Sequence, residues 1–122
     1  MGQLLLRWFG VFYLAVGAAD IFAHDAHGFE FGVLNVNAPH SVIHAVAGLA
    51  WIVGSFNPQA TKLLAWTGVG LFALLIGLGF APSVNPLQGW VPLDGNVLWF
   101  HVLTLLMLAT VAITSRNIPA EA

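Results

Sequence analysis

Residues 61–80 read TKLLAWTGVGLFALLIGLGF, a run of twenty residues in which Lys62 carries the only formal charge. A helix rises about 1.5 Å per residue, so a run of this length covers the roughly 30 Å hydrocarbon core of a bilayer. The strands of a membrane β-barrel alternate apolar and polar residues, and the stretch from Leu71 to Leu78 does not alternate. The run therefore predicts a membrane-spanning helix.

Three further apolar runs extend this prediction to the whole chain. They cover 4–22, 39–56 and 96–114, and Asn57 and Pro58 separate the second run from the run at 61–80. A backbone inside lipid has to satisfy its own hydrogen bonds, so each run is expected to be a helix. We expect residues 1–122 to form a single integral membrane domain, an all-α bundle of four transmembrane helices. The first run is expected to be a retained helix rather than a cleaved signal peptide.

The composition excludes several classes of protein. Of the 122 residues, 59% are hydrophobic and 7% are charged, whereas about a quarter of the residues of a soluble domain are charged. The net charge of -2 leaves too few cations for a nucleic-acid surface or a polybasic contact with lipid headgroups. The absence of cysteine excludes thiolate metal sites, disulfides and thiol catalysis. The lipid bilayer is therefore the first expected partner.

The basic residues and the histidines divide between the two ends of the predicted bundle. Arg7, Lys62 and Arg116 flank the ends that four crossings place on one side, and basic residues favour the cytoplasmic side. We therefore expect both termini in the cytoplasm, with the chain in the cell inner (plasma) membrane or another energy-transducing membrane. The histidines lie toward the opposite side: His24, His27, His40, His44 and His101.

An internal repeat is one interpretation of this layout. A shift of 58 residues places Gly10 on Gly68, and a shift of 57 residues places His44 on His101. Two helical hairpins of the same orientation would be related by a pseudo-twofold axis along the membrane normal, which is the parallel type of repeat. Composition bias in apolar sequences also produces such matches, so the repeat is a hypothesis.

Three histidines enter the predicted second and fourth helices. His40 and His44 are spaced i, i+4 and share one helix face, which continues through Gly48 and Trp51. An imidazole inside a bilayer is costly unless it faces the bundle interior and finds a partner. His44 and His101, with His40, are therefore candidate cofactor ligands, in the first place for a haem or a chlorophyll-type tetrapyrrole held between facing helices.

Two other interpretations of these residues stay open. A metal ion such as zinc, copper or iron would take His40, His44 and His101, helped by Asp20 and His24. The simpler interpretation is that the imidazoles hydrogen-bond to loop carbonyls, to carboxylates or to each other and do nothing more. No nucleophile, base and carboxylate set is visible in the sequence, so no catalytic residue is predicted.

The two histidine motifs resemble those of a known family. Residues 37–48 read NAPHSVIHAVAG and residues 94–101 read DGNVLWFH. They match an Asn-x-x-His-x-x-x-His stretch that enters the second helix and an Asp-x6-His stretch that enters the fourth. Over nearly its whole length the chain resembles small bacterial four-helix membrane proteins catalogued as a domain of unknown function, with Ser41 where a second asparagine is usual. The resemblance implies the fold and picks out the same three histidines, but it implies no activity.

The small size and the apolar composition favour a protein without autonomous catalysis. We expect an accessory or structural subunit of a larger membrane complex, or a homo-oligomer, so the expected protein partners are other membrane subunits or a second copy. The alternative is a histidine-ligated cofactor protein that acts in electron transfer or pigment binding. Enzymatic activity is not excluded, although its absence is favoured.

Overall fold

The computed structural model describes residues 1–22, 29–30, 34–35, 38–87, 91, 93 and 95–115. Within these residues four helices form a bundle, which confirms the predicted fold class: α1 (Gly2–Phe22), α2 (Ala38–Gly54), α3 (Pro58–Phe80) and α4 (Asn96–Thr114). The bounds of α4 agree with the predicted 96–114, whereas α1 begins two residues before the predicted start and α2 begins one residue before it.

A short antiparallel hairpin lies between the first two helices. Its strands are β1 (Phe29–Glu30) and β2 (Leu34–Asn35), with Phe29 opposite Asn35. The first strand contacts α1 and the second contacts α4. The hairpin therefore connects the two halves of the bundle at the end where α2 and α4 begin. One turn of 3-10 helix, Pro82–Val84, follows α3.

Three of the helices are long and apolar enough to cross a membrane, namely α1 over Gly2–Ala19, α3 and α4. The remaining helix, α2, has 17 residues, which corresponds to about 26 Å and lies at the lower end of the spanning range. Large apolar side chains such as Leu74, Leu103 and Ile113 point outward, as lipid-facing residues do. These features indicate a multi-pass membrane protein.

The connection between α2 and α3 differs from its predicted boundaries. The second helix ends at Gly54 rather than at residue 56, and the third begins at Pro58 rather than at residue 61. Asn57 is extended (φ -119°, ψ 123°), and its side chain accepts hydrogen bonds from the amides of Gln59 (2.9 Å) and Ala60 (3.0 Å). Proline fits the first helical position, where no intrahelical N–H bond is lost. The prediction that Pro58 only separates the second helix from the third is therefore wrong, because this residue starts α3.

Glycines bring α1 and α2 into backbone contact. A methyl group added at Gly17 would lie 2.6 Å from the Ser41 carbonyl oxygen, and one at Gly10 would lie 2.7 Å from the Gly48 carbonyl oxygen. Both distances are too short for a side-chain carbon. Small residues permit this approach in lipid, where van der Waals packing rather than the hydrophobic effect holds helices together. The first two helices therefore form a tight hairpin.

Side-chain contacts establish which helix ends meet. Gln3 Nε2 donates to the Ser55 carbonyl (2.9 Å), and Arg7 Nε donates to Ser55 Oγ (3.1 Å), so α1 begins beside the end of α2. A methyl group at Gly2 would lie 3.1 Å from the Val111 carbonyl oxygen, in the last turn of α4. We call this the basic end, because it carries Arg7. The opposite end, where α2 and α4 begin, is called the histidine end.

The core of the bundle is aromatic at its centre, with Tyr13 stacked on Phe100 (centroids 5.2 Å apart) and in edge contact with Trp51 (4.8 Å). The Tyr13 hydroxyl and Thr104 Oγ1 are 2.5 Å apart, and Thr104 Oγ1 also donates to the Phe100 carbonyl (2.9 Å). The hydrogen bond that joins two helices here is the one between the Tyr13 and Thr104 hydroxyls. This bond links the first hairpin, through α1, to α4.

Candidate metal centre

Three buried histidines converge at the histidine end of the bundle. His40 and His44 lie in the first two turns of α2, and His101 lies in the second turn of α4. Their exposed fractions are 2%, 2% and 1%. One ring nitrogen of each residue lies within 4.8 Å of those of the other two. The structure thus brings together the three histidines that the sequence predicted as ligands.

The ring positions show how closely the three side chains pack. The ring centroids are 4.4 Å apart for His40 and His44, 5.5 Å apart for His40 and His101, and 6.0 Å apart for His44 and His101. His40 therefore contacts both other rings, and its contact with His101 is one that neither the i, i+4 spacing nor the proposed repeat predicts.

The predicted helix face positions two of these rings. His40, His44, Gly48 and Trp51 are all buried in α2, as their shared face predicts. Gly48 packs against the backbone of α1, which turns this face toward the bundle interior. His101 comes from α4 and shares a buried stripe with other residues of that helix: Val97, Leu98, Thr104 and Leu108.

Aromatic side chains surround the cluster. The Tyr13 ring meets His44 edge-on at 5.1 Å between centroids, and the Phe72 ring meets His101 in the same way at 5.2 Å. Phe100 lies 5.7 Å from His44. Within the described part of the chain, no carboxylate belongs to the metal-binding group. The ligands available there are therefore imidazoles in an apolar setting.

The spacing of the nitrogens suits a single metal ion. In a tetrahedral zinc site with Zn–N distances of about 2.0–2.1 Å, ligand nitrogens are about 3.3 Å apart. Nitrogens within 4.8 Å of one another reach that separation when the rings close by up to about 1.5 Å, which side-chain rotation supplies. In addition, the buried Nδ1 of His101 has no hydrogen-bond partner among the described residues, and a buried polar atom of this kind calls for an explanation such as a bound ion.

The other predicted ligands are not tested. Asp20 belongs to the last turn of α1, but its side chain lies outside the described part of the structure, and His24 lies outside the described residues altogether. Their participation stays a prediction.

An apolar cleft of about 310 Å³ adjoins the cluster, and all three histidines line it. Most of its lining comes from α2, including Ala47 and Trp51, and from α3, including Leu64, Leu71 and Phe72. Sequence reasoning missed the α3 wall. The helix is apolar on all sides, so its residue pattern gives no sign of which face borders a cavity.

Comparison with known proteins supplies a family for the chain. No curated protein and no solved structure matches it. A family described as Domain of unknown function (DUF4383) matches the chain over residues 3–114. The chain of 122 residues therefore belongs to the DUF4383 family.

Proposed function

We propose that this protein binds one divalent transition-metal ion inside the membrane bundle, with His40, His44 and His101 as ligands. The observation that supports the proposal is the convergence of three buried imidazoles whose nitrogens lie within 4.8 Å of one another. Imidazole suits zinc, copper, iron and nickel, whereas magnesium and calcium prefer oxygen ligands.

The packing of the rings favours an ion over a tetrapyrrole. A macrocycle with His44 and His101 as axial ligands would have to lie as a flat plate between those two rings. His40 lies within 5.5 Å of both of them, measured between ring centroids, and occupies part of that space. A single ion needs no such plate, and His40 then serves as the third ligand.

A three-histidine centre leaves a coordination position for a further ligand. Structural zinc sites are closed by four protein ligands, whereas sites that act on or bind a small molecule keep one position for water or substrate. The described group supplies three ligands, and the apolar cleft lies directly beside them. We therefore propose that the fourth position takes a molecule from the cleft rather than Asp20 or His24, which assigns the centre to ligand binding or chemistry rather than to structural support of the bundle.

The distribution of charge also favours a cation at this end. Four of the five acidic residues lie, by sequence, in the last turn of α1 or in the segments that join helices at the histidine end: Asp20, Asp25, Glu30 and Asp94. Arg7 lies at the basic end, where it contacts Ser55. A cation that approaches the histidine end therefore meets negative rather than positive charge.

Metal content of the purified protein tests the proposal. The wild-type protein, loaded with zinc in lipid nanodiscs, is expected to hold one ion per chain by elemental mass spectrometry. Loss of a residue that hydrogen-bonds to a metal ligand typically weakens metal binding by roughly 10- to 100-fold. His44→Ala and His101→Ala remove a ligand itself, so each should weaken zinc binding by more than this. His27→Ala is the matched control, because it removes an imidazole that the proposal does not use as a ligand, and it should leave the zinc content unchanged.

Two results would contradict the metal proposal. Equal zinc content in the wild type and in a variant that lacks all three ligands would show that any bound zinc lies elsewhere. A Soret or chlorophyll-type absorption band in the protein isolated from its native membrane, lost with His101→Ala, would favour the tetrapyrrole instead.

We also propose that the basic end faces the cytoplasm, as the positions of Arg7 and Lys62 favour. The absence of native cysteine permits a clean test by single cysteines at two exposed sites, Ser83 after α3 and Gln59 at the start of α3. In whole cells, a membrane-impermeant thiol reagent should label Ser83→Cys and leave Gln59→Cys unlabelled; the reverse pattern contradicts the orientation. An accessory or homo-oligomeric role stays a prediction, since the exposed apolar faces fit lipid equally well.

A further inference from the structure

We infer that the cleft between α2 and α3 binds a free fatty acid, whose carboxylate takes the remaining position on the metal ion. The acyl chain extends from the histidine cluster toward the basic end. This inference rests on the proposed metal centre for the headgroup, and on the cleft for the chain.

The cleft opens toward the lipid. Ile43 on α2 and Leu71 on α3 border it and are 50% and 51% exposed. Both side chains belong to helices that the bilayer surrounds, so the opening faces hydrocarbon rather than water. A molecule that is dissolved in the membrane can therefore enter from the side.

The dimensions fit one hydrocarbon chain. The lining runs from His40 to Trp51 on α2 and from Leu64 to Leu75 on α3, and eleven helical steps correspond to about 16 Å on each side. An alkyl chain with carbon contacts at about 3.5–4.0 Å needs a channel roughly 4–5 Å wide. A cleft of about 310 Å³ over that length has room for such a chain.

Charge balance selects a carboxylate among the possible headgroups. Three neutral imidazoles leave a divalent ion with its full charge, and uncompensated charge inside a bilayer is costly. The described residues that line the cleft include none with a formal charge other than what the histidines themselves can carry. A carboxylate oxygen supplies both the missing ligand atom and one negative charge. An ester or an alcohol of the same chain length would supply no charge.

The experiment measures fatty-acid binding by native mass spectrometry of zinc-loaded protein released from phosphatidylcholine nanodiscs. The probes are palmitic acid and methyl palmitate, which share a chain and differ at the headgroup. We expect one palmitate per chain in the wild type, and at least about tenfold weaker binding of the methyl ester.

Two alanines of α2 provide a matched pair of variants. Ala47 lines the cleft, whereas Ala50 is exposed on the same helix outside it. Ala47→Phe should fill the channel and weaken palmitate binding by at least about tenfold, and Ala50→Phe should leave it unchanged. Zinc content is measured in both variants to show that each is folded. Should Ala47→Phe fail to fold, Thr67→Phe narrows the same cleft from its exposed α3 rim.

Each alternative outcome is decisive. Equal palmitate binding by the Ala47→Phe and Ala50→Phe proteins would overturn the cleft as the acyl site. Equal binding of the acid and the ester would overturn the contact between carboxylate and metal. If the wild type holds no zinc, the metal centre and the carboxylate contact both fail; palmitate binding that Ala47→Phe still abolishes would then support the acyl site alone.

Discussion

Substitution of Gly17 by alanine is expected to separate α1 from α2 at the level of the histidines. The added methyl carbon would lie 2.6 Å from both the Ser41 carbonyl oxygen and the Ala45 amide nitrogen. Ordinary van der Waals contact begins at 3.4 Å, so the two backbones must move apart by about 0.8 Å. Because the obstructing atoms belong to the backbone of α2, a change of side-chain rotamer cannot relieve the contact.

The cost of that movement is estimated from the packing that it loosens. A gap of about 0.5–1 Å forfeits a quarter to a half of the attraction between facing atoms, and overpacking typically costs about 1–3 kcal/mol. Alanine also favours the helix over glycine by about 0.8–1.0 kcal/mol, which hides part of this cost. Gly77→Ala measures the helix preference of alanine without the steric cost, because Gly77 is exposed on α3 and a methyl group there meets nothing within 4 Å.

The measurement compares the free energies of unfolding of the two variants in mixed micelles by titration with a denaturing detergent. The helix preference cancels in the difference, so Gly17→Ala should be less stable than Gly77→Ala by about 1–3 kcal/mol. The shift of α2 also moves His40 and His44 relative to His101, so zinc affinity should fall only in the Gly17 variant. Equal stability of the two variants would refute the claim that α1 and α2 are in backbone contact.

Three further substitutions, the first with a matched control, test the core and the basic end in the same unfolding assay. Trp51→Ala should cost about 3 kcal/mol, which is the lower end of the range for buried aromatic residues, because Trp51 also borders the cleft. The control Trp66→Ala, at a side chain that is 52% exposed, should cost less than a third of that. Equal losses of stability would contradict the burial of Trp51. Tyr13→Phe removes the hydroxyl that hydrogen-bonds to Thr104 on α4 and should cost about 0.5–1.5 kcal/mol, whereas an unchanged stability would argue against that bond. Ser55→Ala removes the acceptor of the 3.1 Å bond from Arg7 and should cost about 0.5–1.5 kcal/mol; no loss would indicate that lipid headgroups or water replace the contact.

The helices were predictable because apolar length is a strong signal in a membrane protein. The run at 61–80 required a spanning helix whatever its neighbours did, and the observed α3 contains all of it. Its first turn was missed because Pro58 can either interrupt a helix or start one. Capping by the Asn57 side chain, with hydrogen bonds to two backbone amides, decides between these roles, and that is a matter of local geometry rather than of hydropathy.

The identity of the three candidate ligands was predictable from the sequence, whereas their arrangement was not. A histidine in an apolar helix is costly enough that His44 and His101 were expected to face inward, and both are buried. The spacing of His40 from His44 placed it on the same helix face. Its contact with His101 depends on how far α4 lies from α2, and nothing in either helix alone specifies that distance. For the same reason the cleft was not predictable, since an apolar residue that packs and one that borders a cavity look alike in sequence.

The proposed metal site lies where the two hairpins of the suggested repeat differ from each other. A shift of 58 residues aligns Gly10 with Gly68, yet a methyl group at Gly10 would meet the backbone of α2, whereas one at Gly68 would meet the Leu108 side chain. In the second hairpin the Leu108 side chain occupies the space beside the glycine. In the first hairpin the backbone of α2 occupies the corresponding space. A shift of 57 residues likewise aligns His40 with Val97, so the first hairpin offers two imidazoles and the second offers one. A parallel repeat with strict symmetry would give two or four ligands, and a three-ligand centre with an open position therefore requires the asymmetry that these two hairpins have.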